Sequence, residues 1–344
     1  MSASDSGTNE EPIAYFLQDI EYQGKTERTR SAYERVLRDF EEFIREDYPH
    51  VDSLHEVTHR ACMAWIHDQR GEAAESTLAT YASYLHRFYA YMTQVGEFEE
   101  NPMALVVEQM DESIDIDPTR REISVDEMRQ FVIDIRHPLS RALVVTLLKT
   151  GMRAGELCNL DCRDLNLQTD AIEFDIKPRP QLHGKPESIY VSPEPRRGTV
   201  VNGEERTASN KRKRPTVIPV DEELHETLVR WLAIRPDTHS PADPLFTSTK
   251  GAWGNRITAD AVHHTIEQHA RERGWYRTGG GASENVTPHY FRHFFTTYLR
   301  GQTGERGVVK YLRGDVADDV LDTYTHNWGD RVRETYEANI YRLL

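Results

Sequence analysis

Apolar side chains in TERTRSAYERVLRDFEEFIRE recur at helical spacing and place Tyr33, Val36, Leu37, Phe40, Phe43 and Ile44 on one stripe. A second stripe, in STLATYASYLHRFYAYM, runs through Leu78, Tyr81, Leu85, Phe88, Tyr89 and Met92. Between them, Thr58 is placed to cap a helix carrying Met63, Trp65 and Ile66. These segments predict a small helical domain over residues 12–110, behind a polar, disordered tail at 1–11. Residues 111–121 are charged, hold a proline and lack periodicity, so they read as a linker.

The pattern restarts at ISVDEMRQFV, where Ser124 and Glu127 have the spacing of a capping box. LSRALVVTLLKTG is apolar all round, a buried helix with Gly151 placed to end it. AIEFDI and PTVIPV read as strands, and helical periodicity returns at DEELHETLVRWLA. Residues 177–208 are rich in proline, glycine and charge and read as an insertion. The fold expected is mainly α with a small antiparallel β-sheet: a helical domain, then a mixed α+β domain over 122–344. The last segment, 329–344, ends in the amphipathic ANIYRLL, which either docks on a neighbouring protomer or packs at home.

Composition changes this picture in two places. No apolar run is long enough to span a membrane, and the polar, acidic start is unlike a signal peptide, so cytoplasm is expected. Cys62, Cys158 and Cys162 are too few and wrongly spaced for a disulfide framework, and read as small buried hydrophobes. Net charge is −15, which at first argues against a nucleic-acid partner, but its distribution argues otherwise. Residues 1–118 hold 9 basic and 25 acidic side chains, while the remainder holds 33 and 32. Residues 177–214 carry ten basic against four acidic residues, ending in NKRKR. Only eight of the 42 basic residues are lysine. Such an acidic, lysine-poor, arginine-rich composition suits the salt-rich cytoplasm of a halophilic archaeon, where charge is strongly screened, while GC-rich coding is the alternative source of arginine in place of lysine.

TPHYFRHFF, residues 287–295, concentrates the candidate chemistry. Thr287 and Pro288 make a helix start, so His289, Arg292 and His293 share about one face. The i, i+4 histidine pair has zincin spacing, yet Tyr290 stands where the glutamate of HExxH belongs, and no metal is expected. Two readings remain open on this segment alone. One is a core helix carrying Tyr290, Phe291, Phe294 and Phe295; the other is an anion site made by His289, Arg292 and the helix dipole.

Upstream stands LLKTGMRAGELCNL and downstream VVKYLRGDVADDVLDTYTHN. T-G-x-R-x-x-E-L, then H-x-x-R, then Y-T-H in this order resemble the tyrosine recombinase (phage integrase) family, over essentially residues 12–344. Thr29, Tyr33, Leu37, Phe40 and the NPM at 101–103 are similar to that family's core-binding domain and its exit. The resemblance implies a helical SAM-like core-binding domain and a catalytic domain that close around duplex DNA, acting as a homotetramer on two sites, through the C-terminal tail. It implies site-specific recombination through a 3′-phosphotyrosyl link, without ATP, cofactor or metal. It makes Tyr324 the nucleophile, Arg153 and Arg292 the phosphate clamp, and His289 their partner in proton transfer. Lys211 becomes the general acid, with Lys213 as the alternative, while Arg212, Arg214 and Arg313 join Lys213 as DNA-backbone contacts. Glu156 reads as a buttress for Arg153.

The chain departs from the family pattern in two respects. Fifty-eight residues separate Arg153 from Lys211, which is long. Where the family usually has a second histidine, nine residues before the tyrosine, this chain has Asp315, with Arg313 as a substitute donor. A carboxylate there repels phosphate unless it is protonated or turned away. Tyr336 is a fallback nucleophile at the wrong spacing. The rival readings are a type IB topoisomerase-like enzyme, a catalytically silent DNA-binding relative, and an interaction protein using the acidic helical domain.

Overall fold

In the computed structural model, residues 11–70, 73–111, 120–169, 177–315 and 329–344 are described. The chain divides into two compact units, Met1–Pro118 and Thr119–Leu344.

The first unit holds α1 (Pro12–Tyr22), α2 (Glu27–Asp47), α3 (His59–Gln69), α4 (Glu75–Gln94) and α5 (Met103–Gln109). Helices α2 and α3 begin where a hydroxyl relieves an orphan amide: Thr26 accepts from Thr29 at 3.3 Å and Thr58 from Ala61 at 3.4 Å. The two apolar stripes turn inward, and Phe40 meets Trp65 edge-on at 5.4 Å. Phe43 and Tyr81 sit at the margin of this core. Met63 departs from expectation at 45% exposed. Cys62, Trp65 and Ile66 define the buried face of α3, and Met63 lies about 100° round the helix from Cys62.

The second unit opens with α6 (Val125–Asp134), α7 (Pro138–Thr150) and α8 (Ala154–Cys158). Ser124 and Glu127 bond reciprocally at the start of α6, as their spacing predicts. A three-stranded antiparallel sheet follows, in the order β1 (Leu165–Asn166), β2 (Ser188–Val191), β5 (Thr216–Pro219). Ile189 of β2 lies opposite Leu165 on one side and Ile218 on the other. A small hairpin, β3 (Val200–Val201) with β4 (Glu204–Glu205), sits between β2 and β5. Its turn has Asn202 at φ 54° and Gly203 at φ 80°, the backbone that a tight hairpin favours.

The strand expected from AIEFDI falls at 171–176, outside the described residues. The span expected as an insertion, 177–208, contains β2, the middle strand of the sheet. All four β2 residues are buried, so SIYV shows no alternation, and its charged, proline-rich flanks conceal it in the sequence.

Helices α9 (Glu222–Leu232), α10 (Ala259–Glu272), α11 (Pro288–Thr303), α12 (Arg306–Arg313) and α13 (Gly329–Asn339) complete the described unit. Helix α7 is buried on every side and packs against α9 and α11. Its Lys149 is fully buried, and three oxygens compensate its charge: Asp221 at 2.5 Å, Glu223 at 2.6 Å and the Tyr341 carbonyl at 2.6 Å. Glu223 also accepts from the amides of Leu343 and Leu344 at 2.8 and 3.0 Å. The C-terminal tail therefore packs on its own unit, with Tyr341 and Leu343 buried. All three cysteines are free and buried. Among the described residues no helix is long and apolar enough to cross a membrane.

Candidate active site

Helix α7 ends at Gly151, which adopts φ 61°. A Cβ there would lie 2.4 Å from the Phe295 ring, so only glycine lets α7 meet α11 this closely. The freed Gly151 carbonyl accepts from Arg292 Nη1 at 2.8 Å. Two residues later the chain turns into α8, and Glu156 reaches back to the Arg153 backbone amide at 3.1 Å and to its Nη1 at 3.0 Å. Glu156 is fully buried, and its second oxygen also takes Arg212 Nη2 at 3.1 Å. One carboxylate thus caps a helix and aims two guanidiniums.

Helix α11 begins at Pro288 as expected, although the Thr287 hydroxyl makes no capping bond. Tyr290, Phe291, Phe294 and Phe295 are buried, which fixes the helix and leaves His289 exposed. Arg292 is 2% exposed and crosses from α11 to the end of α12, donating to the Arg313 carbonyl at 3.2 and 3.3 Å. Helix α12 closes at Gly314, with φ 69°. A Cβ there would meet Arg212 Cγ at 2.3 Å.

Asp315 follows and turns into the cluster. Its Oδ1 lies 3.0 Å from Arg292 Nη2 and 3.4 Å from Arg153 Nη2. Its Oδ2 lies 3.2 Å from Arg292 Nη2 and 2.9 Å from Arg313 Nε. Arg153, Arg292 and Arg313 therefore converge on one anionic group. With Arg212 they set four cations against Glu156 and Asp315.

Burial and this surplus together shift the ionisable groups of the site. Burial, then the charges of Arg153 and Arg313, push the Arg292 guanidinium down to about 9, so it stays charged at neutral pH. Desolvation, then the charges of Arg120, Arg292, Arg153 and Arg313, hold the His289 imidazole below its ordinary 6.5, although its edge reaches solvent. A neutral imidazole beside a cationic, open seat can accept or relay a proton there.

The stretch 211–214 runs alongside this seat, with the Lys213 amide bonded to the Gly314 carbonyl at 3.0 Å. Lys211 and Lys213 have exposed side chains, and Arg214 stacks over Tyr311 at 5.1 Å. Arg212 corrects the expectation of a DNA-backbone contact. It points inward, is 3% exposed, and donates from its two Nη atoms to Glu156 at 3.1 Å and the Leu312 carbonyl at 3.0 Å. Lys211 and Lys213 are exposed on either side of this buried arginine. Tyr324 lies outside the described residues. Tyr336 is fully buried and donates to the Lys149 carbonyl at 2.9 Å, and burial raises its phenol well above 10.0, which removes it as a nucleophile.

Arg120, assigned to the linker from sequence and not singled out there, adds its positive charge to the surroundings of His289. The available signal was the reversal of charge at TRR, after an acidic linker. His293 is half-buried beside Tyr290 and Thr297. Among the described residues no three His, Cys, Asp or Glu side chains converge as metal ligands would.

The profile of the phage integrase family matches residues 123–329, and that of the phage integrase N-terminal SAM-like domain matches residues 13–96. Tyrosine recombinase XerC of Thermodesulfovibrio yellowstonii is 23% identical over 341 residues, covering 95% of each chain. Tyrosine recombinase XerD of Shewanella oneidensis is 24% identical over 333 residues, again covering 95% of each. Among solved structures, a lambda integrase tetramer bound to a Holliday junction superposes with a TM-score of 0.62 at 14% identity, over 90% of this chain and 77% of that one. The Tn1549 transposon integrase in complex with circular intermediate DNA superposes at 0.61 with 19% identity, over 96% and 99%. At these identities the structural likeness speaks for the fold.

Proposed function

The chain belongs to the phage integrase family, and on that premise we propose that it performs site-specific DNA recombination by tyrosine-mediated cleavage and rejoining of strands. The observation that carries this reading is the convergence of Arg153, Arg292 and Arg313 on one anionic seat with cations in excess. A phosphodiester under attack gains negative charge on its non-bridging oxygens, and guanidinium forks bind such oxygens while staying charged. Arg153 and Arg292 form the clamp, and His289 assists proton transfer beside them. The Tyr324 oxygen bonds to phosphorus as the bond to the 5′-oxygen breaks. Lys211, or Lys213 as the alternative, delivers the proton that the 5′-oxygen takes up. A free 5′-hydroxyl of another strand then reverses the step, so bond energy is conserved.

The helical first unit serves as the core-binding domain and residues 122–344 as the catalytic domain, working on duplex DNA as a homotetramer. The tail's burial on its own unit supports its home-docked role in the monomer rather than docking on a neighbour. An acidic, lysine-poor composition supports a salt-rich cytoplasm as the setting. Cleavage that persists in molar KCl, where ordinary DNA-binding proteins release, would bear this out, and loss of all DNA binding there would count against it.

A nicked suicide duplex tests the chemistry. Wild-type protein is expected to form a covalent protein–DNA adduct that Tyr324→Phe does not. An adduct retained in that variant refutes the nucleophile. No adduct on any candidate site favours a catalytically silent DNA-binding relative, the reading that a carboxylate inside the clamp supports.

A further inference from the structure

We propose that the Asp315 carboxylate is a resident stand-in for the scissile phosphate: it seats itself among Arg153, Arg292 and Arg313 while the site is empty, holds the three guanidiniums converged, and yields them when a phosphodiester enters. The proposal rests on the reading of this cluster as a phosphate clamp.

The geometry argues for it in three ways. First, both carboxylate oxygens are engaged as two phosphate oxygens would be. Oδ1 accepts from Arg292 and Arg153 at 3.0 and 3.4 Å, while Oδ2 accepts from Arg292 at 3.2 Å and forms an ion pair with Arg313 Nε at 2.9 Å without a hydrogen bond. A carboxylate and a phosphodiester present the same pair of delocalised anionic oxygens to a guanidinium fork. Second, Glu156 alone does not balance the gathered guanidiniums, whose uncompensated like charges repel at close range when no other anion is seated. Asp315 removes that cost before DNA arrives.

Third, Asp315 can leave. Among the described residues its carboxylate is held by those three arginines alone, its side chain is 30% exposed, and it follows the left-handed turn at Gly314 rather than lying inside a helix. Glu156 is the counterexample within the same cluster. It is fully buried and tied to the Arg153 backbone amide, so it is part of the frame. A phosphate and Asp315 cannot share the seat, since their like charges would sit within hydrogen-bonding distance of the same nitrogens. DNA binding therefore includes an exchange of one anion for another, and the affinity for DNA is scaled down to the fraction of clamps that Asp315 leaves open.

The test uses the full chain with Asp315→Asn, Asp315→Ala and Asp315→Glu, and inorganic sulfate as the probe in a constant chloride background. Sulfate affinity is read from the dependence of the unfolding midpoint on sulfate concentration. Asn and Ala are expected to bind sulfate about tenfold or more tighter than wild type, while Glu, which keeps the charge, stays near wild type. The DNA concentration that half-saturates cleavage of the suicide duplex should fall by a similar factor in Asn and Ala. A variant that folds only when sulfate is present supports the proposal directly, because the anion then replaces the missing carboxylate. Unchanged or weaker sulfate binding in both Asn and Ala overturns it. So does a fall in the saturating cleavage rate without any gain in anion affinity, which would make Asp315 a protonated donor to the phosphate. Tighter sulfate binding with no adduct from any form leaves the clamp standing and sinks the recombinase reading. An adduct without the sulfate effect does the reverse.

Discussion

Two clusters of arginine and carboxylate lie in the second unit, and they are built on opposite terms. In one, Arg206 binds Asp161 bidentately at 2.9 and 2.8 Å, while Arg256 joins Asp161 and Glu204, each at 2.6 Å. Arg256 spends its remaining donor on the carbonyls of Cys158 and Leu160. Two cations face two anions, and Arg206 and Asp161 are almost completely shut from water. In the other, four arginines face two carboxylates, and Arg153, Arg313 and Asp315 remain about 30% exposed. The balanced cluster pins the β3–β4 hairpin to the chain after α8 and offers nothing to a ligand. The unbalanced one has unused positive charge at a mouth open to solvent. Arginine count alone does not mark a site; uncompensated charge with access does.

Substitutions should separate the two. Asp161→Ala leaves Arg206 and Arg256 buried without their main counter-ion, and is expected to cost about 3–5 kcal/mol of stability. Denaturant unfolding checks this, and a loss near zero would mean that water or Glu204 can replace the carboxylate. Arg292→Ala acts on the open cluster, where the expected loss is about 10²- to 10³-fold in cleavage rate with DNA binding less affected. Single-turnover cleavage beside a binding titration reads it. Equal loss in both would make Arg292 mere footing for DNA.

The pH dependence expected of the open cluster is smaller and falls on His289. The folded-state pKa of His289 is depressed, so below 6.5 the unfolded chain binds more protons than the folded one. Its contribution to stability is present above 6.5 and is lost as pH falls below that value. Cleavage should follow, holding near neutrality and declining at lower pH as the imidazole protonates. In His289→Gln that decline should be absent from the low-pH limb, and its persistence would assign the limb to another group. Smallest of all, Arg230→Ala removes an exposed pair with Glu226 on α9 and should change stability by less than about 0.5 kcal/mol. A larger loss there would blur the distinction between paired surface charge and the two built clusters.

Much of the frame was readable along the chain because it depends on short-range physics. The stripes of α2 and α4, the caps at Thr58 and Ser124, and the stop at Gly151 are properties of neighbouring residues. The pairing of Arg153 with Glu156 spans three residues, and it too was legible. Strand β2 was not, since a strand buried on both faces carries no alternation and its flanks look like loop. Met63 was misplaced by a single step round α3. Of the two open readings of TPHYFRHFF, the core helix describes Tyr290, Phe291, Phe294 and Phe295, which are buried, while Arg292 of the same helix reaches Asp315 and His289 lies on the exposed side.

The sequence by itself determined the helical elements, the residue types of the site and their order. The tertiary structure decided which side chains meet. Arg212 reaches Glu156 across 56 positions, Arg292 reaches Gly151 across 141, and Arg153 reaches Asp315 across 162. No local period encodes such contacts, because they arise only when α7, α8, α11 and α12 are brought together by burial of their apolar faces. That packing turned Arg212 from a DNA contact into a strut, sealed Tyr336 in the core, and set the Asp315 carboxylate at the centre of the arginines.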